Sequence, residues 1–141
     1  MSIVESLSLS LGEGLLGEAE LSWPTWQRRY PALAGLEFPA DRTELLTALS
    51  RQRADDVLRC VARLAAVDGD NSTAAAGLLC WIVLPGVSAM AGRLQKGRRW
   101  PELDHLVGSA LWERARTVNW RTGWKIAANL IWNVESDVRS Q

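Results

Sequence analysis

The chain is poor in the residues that build metal and redox sites. Its 141 residues include one His, His105, and two Cys, Cys60 and Cys80, and none of these stands at the spacing of zinc ligands. Both cysteines lie within apolar helical patterns, where a thiol behaves as a small buried hydrophobe. We therefore predict no metal, no cofactor and a reducing, cytoplasmic location.

Recognised catalytic patterns are missing as well. Asp55 and Asp56 are adjacent, so on a helix their carboxylates diverge and cannot form an acid/base pair. There is no phosphate-binding loop and no Gly-x-Ser-x-Gly motif. The turn Asp68–Asn71 has carboxylates at the spacing of a calcium loop, but Leu79 stands where that loop needs a bidentate Glu. We predict that the protein is not an enzyme.

Long hydrophobic runs and leader sequences are not visible either. The longest apolar run, Gly77 to Gly92, contains Pro85 and is shorter than the roughly 20 residues of a membrane-spanning helix. The first charged residues are acidic rather than basic, unlike the start of a signal or transit peptide. We predict a soluble single domain without a membrane segment.

Tryptophan and the distribution of charge stand out instead. The chain has eight Trp against one Tyr and one Phe, and a Trp suits both a core and a binding surface. Residues 1–92 carry 7 basic and 11 acidic side chains, a net −4, and residues 93–141 carry 9 basic and 5 acidic, a net +4. The positive half is therefore the part expected to meet a polyanion.

Hydrophobic periodicity indicates an all-α protein, a compact bundle of about four to six helices with an irregular N-terminal arm. Residues 1–40 are predicted to be that arm, because they are rich in glycine near the start and contain Pro24, Pro31 and Pro39. Trp23 and Trp26 are expected to anchor the arm on the body. Residues 41–141 are predicted to form the helical domain.

Several helix boundaries follow from local patterns. Asp41 with Glu44 predicts a capped helix start, and the Asp68–Asn71 turn ends a second helix. Ser72 or Thr73 can cap the next helix, which we expect to kink or split at Pro85 and Gly86. Pro101 is expected at the first position of the following helix, with Glu102 and Asp104 favourable in its first turn. The last helix carries Ile126, Ala127, Leu130, Ile131 and Val134.

Two segments resemble a known family. Asp104–Ala115 reads DHLVGSALWERA and is similar to the D-L-V-Q-E-T-F-L-R-A helix in the second conserved region of bacterial sigma factors. Trp124–Asn133 reads WKIAANLIWN and resembles the W-L-x-x-I-A-x-N-x-x-x-D-x-x-R helix of the same region, with Arg139 near the final Arg of that pattern. The resemblance covers roughly residues 54–139. His105, Gly108 and Ser109 depart from the acidic and Gln/Glu residues of the pattern, as Asn133 does from its usual Asp.

The resemblance implies a transcription regulatory protein of bacterial type. It implies that the first motif contacts RNA polymerase, through Asp104, His105, Ser109 and Trp112. It also implies that promoter DNA, including a single strand, is held by the second half of the chain. The residues assigned to nucleic acid are Arg98, Arg99, Arg116, Asn119, Trp120, Arg121 and Lys125. We expect no upstream-promoter helix-turn-helix domain within these 141 residues.

A second hypothesis uses the same side chains differently. Trp and Arg are the residues most enriched at binding hot spots, so a degenerate sigma-like fold is expected to bind a protein partner or itself. A single exposed face with Arg98, Arg99, Arg116, Trp120 and Arg121 would favour nucleic acid. Exposed Trp on an uncharged patch would favour a protein partner.

Overall fold

The protein is a bundle of helices without strands in the part of the chain that the structure describes. The computed structural model describes residues 3–41, 47–97, 99–123 and 125–141, with side chains of the first helix from Leu15 onward. Five α-helices follow one another: α1 (Ile3–Arg29), α2 (Arg51–Ala65), α3 (Thr73–Gln95), α4 (Leu103–Thr117) and α5 (Ile126–Arg139). The all-α prediction is confirmed.

Helix α3 forms the centre of the bundle. It packs against each of the other four helices, and Leu78, Leu79, Val87 and Met90 are fully buried. By length and composition α3 is the one described helix that could cross a membrane, yet most of its apolar stretch is buried by the rest of the chain. It is therefore the core helix of a fold compatible with a soluble protein.

Helix α3 begins where it was predicted to begin but does not divide. The Ser72 hydroxyl accepts a hydrogen bond from the backbone N–H of Ala75 at 3.1 Å, which caps the first turn. Of the two predicted alternatives at Pro85, a kink or a split, the split is wrong, because the helix runs unbroken to Gln95. Pro85 lies on the exposed side, where a missing N–H costs least, and the absent side chain of Gly86 gives room to Ile131.

The prediction of an irregular N-terminal arm is also wrong, because α1 extends over residues 3–29. Ala19, Trp23 and Trp26 lie along one side of α1 and are buried, as the anchoring prediction required. Pro24 is exposed on the opposite side, so it removes one backbone hydrogen bond without disturbing the packed face. Tertiary burial therefore outweighs the poor helix propensity of this segment.

The chain after α1 folds back along it. A short 3-10 helix, Pro31–Leu33, turns the chain, and the Trp23 indole N–H then donates to the Leu36 carbonyl at 2.9 Å. The Trp23 ring meets Trp26 and Phe38 edge to face, with centroids 6.3 and 5.5 Å apart. These residues belong to the same hydrophobic core as α3, so the described part of residues 1–40 is built into the bundle.

The remaining helix boundaries agree with those predicted from the sequence, except at the start of α4. Helix α2 carries a buried apolar stripe that includes Val57, Val61 and Leu64 and ends before the Asp68–Asn71 turn, and α5 begins at Ile126. Pro101 lies two residues before α4, whose first residue is Leu103, so its predicted place at the first helical position is wrong. Asp104 does lie in the first turn of α4. The predicted cap pairs Asp41 with Glu44, and Glu44 lies outside the described residues.

Both cysteines carry free thiols, and of the two Cys80 is buried as predicted. Cys80 is buried in α3, and loss of hydration raises the pKa of its thiol to about 12. Cys60 is half-buried in α2, and burial likewise raises the pKa of its thiol. The Cys80 thiol therefore stays protonated and unreactive at neutral pH.

Candidate functional site

The acidic turn Asp68–Asn71 joins α2 to α3 and hydrogen-bonds to residues of several other elements. The Asp70 N–H donates to the Arg63 carbonyl at 3.0 Å, and the Val67 N–H donates to the Arg116 carbonyl of α4 at 2.8 Å. The side chains of Asp68 and Asp70 bind Arg121 and Arg29 respectively, each at 2.6 Å. These carboxylates therefore act as acceptors for arginines from distant parts of the chain. Among the described residues, no cluster of metal-binding side chains occurs.

Trp120 is fixed to this turn by its polar edge. Its indole N–H donates to the Asp68 carboxylate at 3.1 Å. That hydrogen bond, together with the one from Arg121, holds the pKa of Asp68 below its ordinary value, so the carboxylate stays ionised at neutral pH. The guanidinium carbons of Arg121 and Arg63 lie 4.5 and 4.9 Å from the centre of the Trp120 ring, within cation–π range.

Tyr30 forms a second aromatic wall beside Trp120. Its hydroxyl donates to Asp70 at 3.0 Å, and burial, reinforced by that carboxylate, raises the pKa of the phenol. The guanidinium carbon of Arg63 lies 5.5 Å from the Tyr30 ring centre, so Arg63 contacts both aromatic rings. Arg29 pairs with Asp70, and its guanidinium carbon lies 5.3 Å from the centre of the Tyr30 ring.

Arg63 differs from the arginines around it. Arg29, Arg59 and Arg121 each form ion pairs with Asp side chains. The exposed Arg63 guanidinium forms no hydrogen bond or ion pair with any described residue, although two aromatic rings limit its position. Its N–H donors are therefore available to an external acceptor in a fixed part of the surface.

These side chains line one open groove of about 410 Å³, which we call the Arg63 groove. It combines three guanidinium groups, two aromatic rings and one carboxylate, and Cys60 lies in its wall. The lining residues are Tyr30, Ala32, Asp56, Arg59, Cys60, Arg63, Trp120 and Arg121. Such a surface suits a ligand with a flat ring and a negative charge.

Three of the residues predicted to bind nucleic acid gather at the acidic turn. Trp120 and Arg121 line the Arg63 groove itself. Arg116 donates to the Ala65 carbonyl at 3.0 Å and to the Asn71 side chain, so it joins α4 to the turn and lies outside the groove lining. Asn119 is exposed and hydrogen-bonds Thr122 within its own loop.

The other predicted nucleic-acid residues lie elsewhere. Arg99 precedes α4 and Arg116 is in its last turn, so the 15 residues of α4 separate them by about 20 Å. Lys125 lines a different groove, between α2 and α5. Arg99 and Arg116 therefore do not share the single face that would favour nucleic acid, because α4 places its two flanking loops at opposite ends of the bundle. Arg98 and Trp124 lie outside the described residues.

The residues predicted to contact polymerase lie on α4. His105, Ser109 and Trp112 follow one another at helical spacing and share one side of the helix. His105 and Ser109 are exposed, and Trp112 is half-buried against the core. Asp104 is half-buried in the first turn of α4. An accessible helix face is thus present at these positions.

Six of the eight residues that line the Arg63 groove were not predicted from the sequence as binding residues. Tyr30, Arg59, Cys60 and Arg63 come from the first half of the chain, which has a negative net charge and was not assigned to binding. Only the spacing of Arg59 and Arg63, four residues apart on α2, could have indicated a shared face. Their meeting with Trp120 depends on tertiary packing.

Comparison of the chain with protein-family models, with curated proteins and with solved structures finds no match.

Proposed function

We propose that the protein binds single-stranded nucleic acid in the Arg63 groove and acts as a cytoplasmic, sigma-factor-like regulator of bacterial transcription initiation. The observation that carries the proposal is Arg63, which lies against Tyr30 and Trp120 with its N–H donors unused by the described residues. A strand of nucleic acid supplies what this arrangement lacks, an anionic acceptor beside an aromatic ring. The resemblance of Asp104–Asn133 to sigma factors supports promoter DNA as that strand.

The two kinds of contact have different physical roles. Arg63 would donate hydrogen bonds to a phosphate, which releases counterions and makes the affinity depend on salt. Trp120 would stack on an unpaired base, a contact that does not require a particular sequence, and the buried Tyr30 would hold Arg63 in position. The exposed pair of Arg121 and Asp68 can open at little cost, so Arg121 would add a second phosphate contact.

Fluorescence anisotropy with labelled single-stranded and double-stranded oligonucleotides across a salt series tests the proposal. We expect stronger binding of the single strand and a steep loss of affinity as salt rises. Trp120→Ala should weaken binding about 5- to 150-fold, because one stacked base is worth about 1–3 kcal/mol. Arg63→Ala should weaken binding and also reduce the salt slope.

Arg53→Ala is the matched control, because Arg53 is an exposed residue of α2 that does not line the groove. Circular dichroism should show the same helix content in all variants. Equal affinity of Arg63→Ala, Arg53→Ala and the unmodified chain would refute binding in this groove. Absence of any salt-dependent binding would refute nucleic acid as the ligand.

A protein-interaction role is the second candidate, and Trp132 favours it. This side chain is 71% exposed, and a large aromatic side chain in water is typical of a binding surface. Co-purification with RNA polymerase, compared between the unmodified chain and His105→Glu, would examine the exposed face of α4 as one such interface. A sigma-like polymerase contact should be strengthened by the added acid.

A further inference from the structure

Asp56 is the one carboxylate in the lining of the Arg63 groove, and the contacts described so far leave it without a role. It lies on the same face of α2 as Arg59 and Arg63, which follow it by three and seven residues. Seven residues correspond to about 10 Å along the axis of α2. The groove therefore has two chemically different ends, one with the Arg63 guanidinium and one with the Asp56 carboxylate.

The loop that carries Trp120 runs alongside α2 between these two ends. The centre of the Trp120 ring lies 4.9 Å from the guanidinium carbon of Arg63. Three residues later, the carbonyl of Gly123 accepts a hydrogen bond from Nε of Arg59 at 3.0 Å, close to the Asp56 end. A base stacked on Trp120, with its phosphate at Arg63, would therefore present its outer edge towards Asp56.

The Asp56 carboxylate keeps the capacity to accept hydrogen bonds from a ligand. Its Oδ1 accepts from the Gln52 amide at 3.1 Å, and Nη1 of Arg59 lies 3.7 Å away, within ion-pair range but too far for a hydrogen bond. The donors of Arg59 are directed instead at Gly123 and Asp55. No described residue donates a hydrogen bond to Oδ2 of Asp56, whose side chain is 43% exposed. A group that only accepts therefore lines the groove with one oxygen unused.

Among the common bases, guanine alone offers a carboxylate two adjacent donors at its pairing edge. Its ring N1–H and its N2 amino group lie side by side and match the two oxygens of a carboxylate. Adenine and cytosine have a bare ring nitrogen next to the amino group, and thymine and uracil have a carbonyl oxygen on each side of N3–H. In these other bases an acceptor would face Asp56, which is unfavourable.

We propose that the Arg63 groove is selective for guanine, with Asp56 as the residue that recognises the base. The phosphate of this nucleotide is held by Arg63 and its base is stacked on Trp120, so the selectivity rests on the proposed nucleic-acid binding. Asp56 also disfavours the reversed orientation, because a phosphate at that end of the groove would meet a like charge. The groove thus determines the orientation of the nucleotide as well as the base.

Fluorescence anisotropy with labelled oligothymidine strands that differ only in the central base tests the proposal. We expect the strand with a central guanine to bind about tenfold more tightly than the strands with thymine or adenine there, the discrimination expected of one well-paired base edge. Adenine controls for the stronger stacking of a purine. A strand with central hypoxanthine, which lacks the N2 amino group, should lose most of the preference.

Asp56→Asn removes the charge and one acceptor oxygen without a change of size. It should reduce the preference for guanine to less than twofold and leave the affinity for the all-thymine strand unchanged or slightly higher. Arg63→Ala should weaken binding of every strand by a similar factor, so the ratio between guanine and thymine stays the same. Glu113→Gln is the matched control, because Glu113 is an exposed carboxylate outside the groove lining, and it should change neither quantity.

The possible failures are distinguishable. Equal affinity for all strands, with Arg63→Ala still weakening them, would overturn guanine selectivity and leave the proposed function intact. A guanine preference that survives in Asp56→Asn would overturn Asp56 as the residue that recognises the base. Absence of oligonucleotide binding would refute the proposed function and this selectivity with it. GMP as a competitor should displace the strand only at much higher concentration, and displacement at equal concentration would overturn the strand as the source of the guanine.

Discussion

Replacing Trp23 by Ala is expected to lower the free energy of unfolding by about 3–5 kcal/mol, the usual cost of removing a large aromatic side chain from a core. The Trp23 side chain is 3% exposed and packs edge to face against Trp26 and Phe38. Its removal leaves a cavity between α1 and the returning segment, and the Leu36 carbonyl loses its indole donor. A domain with a total stability of about 5–15 kcal/mol would be close to unfolding.

Urea denaturation followed by circular dichroism at the helix band measures this change. Leu21→Ala is the matched control, because Leu21 lies two residues away on the same helix and is 84% exposed. Its free energy of unfolding should change by about 0.5 kcal/mol or less. If Trp23→Ala behaved like Leu21→Ala, α1 would not be packed on the bundle as described.

Gly69→Ala is expected to lower the free energy of unfolding by about 3 kcal/mol, at the upper end for an overpacked site. A Cβ at this position would overlap the main-chain oxygen of Arg63, which cannot move as a flexible side chain does. The same carbonyl accepts the Asp70 N–H, so the acidic turn would have to open. The new methyl group would also lie 3.4 Å from the Trp120 indole nitrogen.

Gly92→Ala provides the opposite case within the same protein. Gly92 is exposed on α3, and a Cβ there meets no atom within 4 Å. Alanine should therefore raise the free energy of unfolding by up to about 1 kcal/mol through higher helix propensity. Thermal unfolding of the two variants side by side measures the difference. Equal melting temperatures would show that the turn tolerates a side chain and does not restrict Trp120 sterically.

The sequence allowed the fold class to be predicted because helical periodicity is a local property. The apolar stripe of α2, the Ser72 cap and the start of α5 all depend on residues a few positions apart. Helix α1 was missed for the opposite reason. Pro24 and the glycines argue locally against a helix, and the burial of Trp23 and Trp26 that overrides them involves residues such as Phe38, which meet them only in the folded chain.

The candidate site was predictable only in part for the same physical reason. Trp120 and Arg121 were recognised because an aromatic residue beside a cation, in a loop of the positive half, is a local pattern. Their partners Asp68 and Arg63 are more than fifty residues away along the chain. Charge counted over each half of the chain also obscured Arg63, because the sum averages over the 11 acidic side chains of residues 1–92 and says nothing of a single position.

The burial of α3 has a consequence for how the protein is made. A ribosome releases α1 and α2 before α3, so two of its covering helices are already available when this 23-residue apolar segment emerges. Until α4 and α5 follow, part of this apolar helix stays exposed on the nascent chain, and the helix is long enough to span a bilayer. During synthesis, packing of α1 and α2 on α3 therefore competes with binding of α3 to membranes, chaperones or other chains. The order of the helices along the chain favours packing, because α1 and α2 are made first.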